Sequence, residues 1–285
     1  MELILKLECF SLRDTLECGQ CFRFTNISSI DKYNSEYDVI LSDRVINVKQ
    51  ENNKLYVKSN NDENLKEAVE YYFDLCNNYS KIEREIKKVD INIFNALQNT
   101  SGIHILNQEF YETILSFIIS ANNNIPRIKK TINEISKRYG EKVEIENREY
   151  YLFPKMEVLK NITKEEFKDM GTGFRDKYLV NTINDIIERD INFIFLSRLN
   201  NSQLKKVLMS FSGVGPKVAD CVMLFAFGRQ DVFPIDVWVK RVMEKLYFNK
   251  ETSLNEIENY SENNFGNYSG IIQQHLFYNI RNELV

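Results

Sequence analysis

Hydrophobic positions in the early part of the chain recur with a period of two. Residues 37–41, 44–48 and 54–58 are short runs rich in β-branched and aromatic side chains, parted by polar turns such as 50–53. This alternation predicts antiparallel strands joined in a meander. Residues 21–24 alternate as well and predict a further strand, entered through Gly19. From Asp62 the period lengthens, and residues 62–69 open on acid and repeat at helical spacing. Beyond Tyr79 nearly every segment is helical in pattern. Residues 80–89 and 91–97 are amphipathic, whereas 109–121 are apolar on most sides and predict a central buried helix. Further helices are expected from 125 to about 139, over 164–170 and 176–189, before and after a glycine turn at 213–215, after Asp236, and from about 269 to 282. The fold class is therefore α+β. Residues 1–95 should form an N-terminal antiparallel β-sheet domain with helices, and residues 96–285 an all-helical domain.

Composition changes this picture little. With 43% hydrophobic and 27% charged residues, the chain is ordinary for a globular protein, and no apolar run approaches the roughly 20 residues a membrane span needs. The first residues carry acids and lack a cleavage site for a signal peptide. A cytoplasmic protein is expected, nucleoid-associated in a prokaryote or nuclear in a cell with a nucleus. The formal net charge is −4, and the excess acid lies in residues 1–95, so a balanced remainder leaves a basic face open. Cys18-x-x-Cys21 resembles half of a zinc or redox site. No second pair accompanies it, and five scattered cysteines favour reduced, packed thiols over zinc or an iron–sulfur cluster.

The candidate chemistry centres on Phe211-Ser212-Gly213-Val214-Gly215-Pro216-Lys217-Val218-Ala219-Asp220-Cys221. Ser202 and the spacing of 201–209 predict one helix, two glycines break it, and Pro216 suits the first turn of the next. A glycine hairpin at a helix N-terminus offers free amides to a phosphate, and Lys217 lies in the first helical turn with Cys221 one turn on. The hairpin lacks both dinucleotide and Walker spacing. Asp236, after Val232-Phe233-Pro234-Ile235, has the sequence of a helix N-cap whose carboxylate can also face a ligand. An amine and a carboxylate beside a phosphate site point to nucleophilic chemistry on a phosphorylated substrate.

Taken jointly, these residues resemble the helix-hairpin-helix DNA glycosylases with a catalytic lysine, and among them the 8-oxoguanine DNA glycosylase/AP lyase family. Gly19-Gln20-Cys21-Phe22-Arg23, Ser120-Ala121-Asn122-Asn123-Asn124-Ile125-Pro126-Arg127, Gly171-Thr172-Gly173-Phe174-Arg175 and Gly270-Ile271-Ile272-Gln273-Gln274-His275-Leu276-Phe277 carry the resemblance in the same order and spacing, over essentially the whole chain. It implies a TBP-like N-terminal domain followed by the glycosylase domain. Lys217 would attack C1′ of the damaged nucleoside, and Asp236 would stabilise positive charge on the sugar. Cys221 and Phe277 would sandwich the flipped base, Gln273 would read its Watson–Crick edge, and the Gly19 carbonyl would accept N7–H. Asn122, Arg127 and Arg175 would meet the orphaned cytosine, with Phe174 as the wedge. Gly213 and Gly215 would hold phosphate, with a cation compatible with the hairpin but no cofactor required and no metal ligand assigned.

Two positions depart from the pattern. Trp238 stands where eukaryotic-type relatives carry a histidine near phosphate, and Phe174 replaces the usual tyrosine, which implies looser selection of the opposite base. The expected partner is double-stranded DNA containing 8-oxoguanine, bound by a monomer, with no membrane. Two other readings of the same residues are a monofunctional alkyl-purine glycosylase, which would use Asp236 without needing Lys217, and a non-catalytic DNA-binding module using only the hairpin.

Overall fold

The computed structural model describes residues 2–283. Five antiparallel strands, β1 (Glu2–Lys6), β2 (Phe24–Asp31), β3 (Asn34–Ile40), β4 (Val45–Glu51) and β5 (Lys54–Ser59), form one sheet in the order β1-β5-β4-β3-β2. Between β2 and β5 the chain is the expected meander, with β3 and β4 paired from Asn34↔Glu51 to Ile40↔Val45. The period of two sorts the faces. Tyr37, Val39, Ile46, Val48, Leu55 and Val57 point into a core shared with the helices Leu12–Glu17 and Leu65–Tyr72.

The other face of the sheet is met by a short hairpin, β6 (Lys142–Ile145) and β7 (Arg148–Tyr151), which projects from the helical region. Asp38 on that face accepts Arg148 Nε at 2.5 Å, Arg148 Nη2 at 2.9 Å and the Tyr150 hydroxyl at 2.6 Å, while Ile40 and Val45 pack with Val143, Ile145 and Leu152. Asp38 is fully buried, so this bidentate pair is far better shielded from solvent than an ordinary surface bridge.

The remainder is helical around one large core. At its centre runs Phe110–Ser120, whose residues Ile114, Leu115, Phe117, Ile118 and Ile119 are all buried. Pro216–Phe227 packs against it, and both are wrapped by Ile125–Tyr139, Asp176–Glu188, Asn201–Leu208, Val237–Met243 and Ser269–Glu283. Tyr79–Ile86 and Ile91–Thr100 bury Ile82, Ile86, Ile93 and Leu97 in this same core rather than in the core of the sheet. No helix among the described residues is long and apolar enough to cross a membrane.

The structure corrects the expected strand at 21–24. Regular pairing starts at Phe24, preceded by one backbone bond from the Ile40 amide to the Arg23 carbonyl at 2.9 Å, and the rest of Cys21–Arg23 is an irregular crossing fixed by side chains. Gln20 is buried, donates to the carbonyls of Thr15 and His104 at 2.8 Å, and accepts the Leu106 amide at 2.9 Å. Arg23 donates to Asn133 Oδ1 and to the Tyr151 carbonyl and pairs with Glu112 Oε1 at 3.2 Å. A buried arginine and glutamine spend their donors between two layers here, so their local alternation does not report a strand. Among the described residues, elements without an expectation from the sequence pattern include β1, the helix Leu12–Glu17, the β6–β7 hairpin, the short helices Met156–Leu159 and Phe193–Ser197, and the helix Leu254–Asn264.

Candidate active site

Asn201–Leu208 opens on Asn200, whose side chain caps the Gln203 amide while Gln203 returns the bond, so the N-cap is Asn200 rather than Ser202. The chain then turns through Gly213-Val214-Gly215 into Pro216–Phe227. Gly213 has φ +80°, and a Cβ there would lie 2.8 Å from Tyr178 Cβ and Cγ, so glycine is needed for both conformation and space. Thr182 Oγ1 donates to the Ser212 carbonyl at 2.8 Å and holds the turn from behind. Gly215, the N-cap of the second helix, faces open space, with no atom within 4 Å of a Cβ built on it. The amides of the first turn are therefore presented outward, the geometry an anionic oxygen needs.

Lys217, in that first turn, lies on a cavity of about 470 Å³ together with Gly19, Phe22, Phe117, Asp236 and Phe277. Its Nζ stands 4.9 Å from the centroid of the Phe117 ring. Asp236 caps Val237–Met243, accepting the Val239 amide at 2.8 Å, so both expected roles of this carboxylate, cap and cavity wall, are met by one side chain. Trp238 is half exposed on the same cavity, with the Arg241 guanidinium 5.2 Å from its ring.

Cys221 and Gln273 are buried and do not line the cavity, although each lies one turn from a residue that does. Burial pushes the Cys221 thiol up to about 11, while the hydrogen-bonded Lys217 amine pulls the other way. Near neutral pH Cys221 is thus an un-ionised, apolar sulfur and not a competing nucleophile. Gln273 Oε1 accepts Gln274 Nε2 at 2.7 Å, which fixes the carboxamide from its own helix. Gly19 has φ +95°, and a Cβ there would meet Phe277 Cε1 at 3.5 Å and Arg281 Nη1 at 3.4 Å. The bare backbone of the N-terminal domain thereby approaches the last helix across the cavity. Cys18, beside it, is fully buried with its thiol pushed up to about 12 by desolvation, so it packs as an un-ionised sulfur.

Asn122, Arg127, Phe174 and Arg175 gather at a second place. Asn122 takes φ +51° at the end of Phe110–Ser120. Arg175 is 3% exposed and donates Nε and Nη2 to the Ala121 carbonyl, Nη1 to Thr172 and Nη2 to Asn122 at 2.9 Å. Phe174 projects outward, 54% exposed, with the Arg175 guanidinium 4.3 Å from its ring. Arg127 is exposed, and its Nη2 lies 3.9 Å from a Cβ built at Gly173. An exposed aromatic ring backed by the buried Arg175, with the exposed Arg127 against the same turn, is a surface suited to stacking, and Arg127 is the arginine free to meet phosphate.

Several cavity residues were not singled out by the sequence: Phe22, Phe117, Asn123, Asn124 and Arg281. Arg281 was legible in principle, because it stands four residues after Phe277 and eight after Gln273 on one helix face. Asp220, inside the lysine motif, belongs elsewhere. It pairs with Lys205 Nζ at 3.1 Å, and burial raises its carboxyl to about 6.

Known proteins align with this geometry over the whole chain. Residues 2–114 match the family described as 8-oxoguanine DNA glycosylase, N-terminal domain, and residues 115–266 match the HhH-GPD superfamily base excision DNA repair proteins. The N-glycosylase/DNA lyase of Saccharomyces cerevisiae is 30% identical over 265 residues, covering 83% of this chain and 68% of its own. The 8-oxoguanine glycosylase/lyase of Clostridium acetobutylicum, solved with double-stranded DNA containing cytosine opposite 8-oxoguanine, superposes with a TM-score of 0.91 at 36% identity, covering 99% of each chain. A 3-methyladenine DNA glycosylase from Archaeoglobus fulgidus shares the fold, with a TM-score of 0.79 at 20% identity.

Proposed function

From its membership of the HhH-GPD superfamily of base excision DNA repair proteins, to which the chain belongs, we propose that this protein excises 8-oxoguanine from duplex DNA and nicks the resulting abasic site. The observation that carries the reading is the meeting of Lys217, Asp236, Gly19 and Phe277 on one cavity beside an outward-facing helix N-terminus. The full-length likeness to the Clostridium acetobutylicum glycosylase/lyase supports the choice of lesion.

A base inside a duplex cannot reach this cavity, so the nucleotide must be extruded, with the open amides at Gly215 gripping its backbone phosphate. A monovalent or divalent cation could share that grip. The Lys217 amine attacks C1′, forming a C–N bond as the bond to the base breaks and its electron pair leaves with the base. Asp236, held by the Val239 amide, lies opposite the positive charge that develops on the sugar. The sugar then opens to a Schiff base on Lys217, and loss of a 2′ proton expels the 3′ phosphate by β-elimination. Phe277 and the Gly19 carbonyl, both on the cavity, respectively stack on the base and accept N7–H. Cys221 and Gln273, each buried one turn behind a cavity residue, flank the base and read its Watson–Crick edge only once the nucleotide is seated and the side chains between give way.

A monofunctional alkyl-purine glycosylase would not need an amine at position 217, and a mere DNA-binding module would not need a carboxylate on the same cavity. Borohydride trapping tests the choice. An 8-oxoguanine duplex should give a covalent protein–DNA adduct that is lost in Lys217→Gln. Tight binding without an adduct would overturn the reading.

A further inference from the structure

Guanine and 8-oxoguanine differ along one edge only, where the lesion gains an N7–H donor and a C8=O acceptor. A cavity that selects the lesion through the first alone leaves the second unread. Two cationic side chains line the cavity, Lys217 and Arg281. The first is committed to C1′ in the function proposed above, on which this inference rests.

Arg281 sits in the last turn of Ser269–Glu283, and its Nη2 donates to the Glu17 carbonyl at 2.9 Å. That bond anchors the guanidinium to the loop that carries Gly19. Its Nη1 is buried and has no hydrogen-bond partner among the described residues. A buried N–H left unpaired costs about 1–3 kcal/mol, so such a group calls for an explanation. The same Nη1 lies 3.4 Å from a Cβ built on Gly19. The guanidinium fork is planar and rigid, so fixing Nη2 on Glu17 also fixes where Nη1 stands.

We infer that Arg281 contacts the lesion directly, with Nη1–H donating to O8 while the adjacent Gly19 takes N7–H. N7–H and C8=O are neighbours on the base, as Gly19 and Nη1 are neighbours in the protein, so one bound orientation satisfies both. Guanine would leave the Nη1 proton unpaired and would set its N7 lone pair against the Gly19 carbonyl. Arg281 thus adds a second reading of the oxidised edge and is a specificity-determining residue, not a structural tie alone.

The test compares excision from an 8-oxoguanine duplex with nicking of a duplex carrying a preformed abasic site, which has no base to read. Arg281→Leu should lose about tenfold to a hundredfold on the lesion, in the range that loss of one hydrogen bond from a charged group gives, and stay within about twofold on the abasic duplex. Arg281→Lys keeps the charge but cannot hold Glu17 and O8 together, so it should show the same asymmetry even if the leucine variant fails to fold. In the Lys217→Gln background, Arg281→Lys should also narrow the ratio of binding to 8-oxoguanine over guanine duplexes. Equal losses on both substrates, or unchanged excision and ratio, would overturn the inference while leaving the function standing. A wild-type protein that nicks abasic DNA but releases no 8-oxoguanine would instead sink the reading it rests on.

Discussion

Asp236 accepts the backbone amide of Val239 at 2.8 Å while its carboxylate shares a cavity with Lys217. Helix cap and cavity wall are one side chain, and two substitutions separate the cap from the charge. Asp236→Asn keeps a good cap but removes the charge, so stability should hold and excision should fall by about 100-fold or more. Asp236→Ala should lose the activity and also about 1 kcal/mol of stability. Thermal unfolding and single-turnover excision of both variants check this, and a destabilised asparagine variant would contradict it.

The two hairpin glycines should respond oppositely to alanine. Gly213→Ala forces a Cβ into Tyr178 at 2.8 Å and a left-handed φ, so it should destabilise by about 1–3 kcal/mol. Gly215→Ala meets no atom within 4 Å and has an ordinary φ of −90°, so the fold should be unaffected. Its methyl instead occupies the space before the helix amides, and DNA binding should weaken in a salt-dependent assay. Equal binding by wild type and Gly215→Ala would remove the hairpin from the DNA interface.

How much of this was legible in the sequence depends on where each signal lives. Lys217 and Asp236 are found by local punctuation, glycine, proline and cap, because helix ends are set by nearby residues. The period of two in β3, β4 and β5 survives because one face of each is buried. The β6–β7 hairpin was missed although Glu146 and Asn147 both have positive φ, the conformation of a two-residue turn, because glutamate gives no such warning. The helix Leu254–Asn264 begins with a complete Ser253–Glu256 capping box that marks its start plainly. Residues 21–23 misled because Arg23 and Gln20 make their bonds to partners about a hundred residues away. The convergence of Gly19, Phe117 and Arg281 is likewise tertiary, and no local pattern contains it.

The buried His275 makes stability depend on pH in a predictable direction. Thr100 spends its hydroxyl proton on the Ala96 carbonyl, so the His275 Nδ1–H donates to Thr100 Oγ1 at 2.8 Å and Nε2 is left without a partner. Burial pulls this imidazole down to about 4, with Glu83 opposing and Lys32 assisting. Between pH 6.5 and 4 the unfolded chain binds a proton that the folded protein refuses, so this contribution is lost as pH falls through that window. Glu112 works in the opposite sense. Burial raises its carboxyl to about 7 despite Arg23, so its contribution is present at low pH and lost as pH rises toward 7. Relative to wild type, His275→Leu should gain stability as pH drops from 7 to 4.5 and Glu112→Gln should lose it. Denaturant midpoints across that range read both slopes, and slopes of the same sign would contradict the assignment.

Selection of the base opposite the lesion should be weak, and the structure supplies a reason beyond the missing hydroxyl of Phe174. All three nitrogens of the Arg175 guanidinium donate to backbone carbonyls of Ala121, Asn122 and Thr172. Those donors hold the turn carrying Asn122, and presenting them to an orphaned base would mean breaking buried bonds. Phe174 offers only an apolar ring, which stacks on any base. Excision opposite C, A, G and T should therefore fall within about tenfold, because the bidentate contact that would discriminate by roughly 1–3 kcal/mol is absent. Phe174→Tyr, which adds a hydroxyl at the exposed edge, should steepen the preference for cytosine without changing nicking of an abasic site. A steep preference for cytosine in the wild-type protein would mean that Arg127 and Asn122 read the base alone, with Arg175 kept as their scaffold.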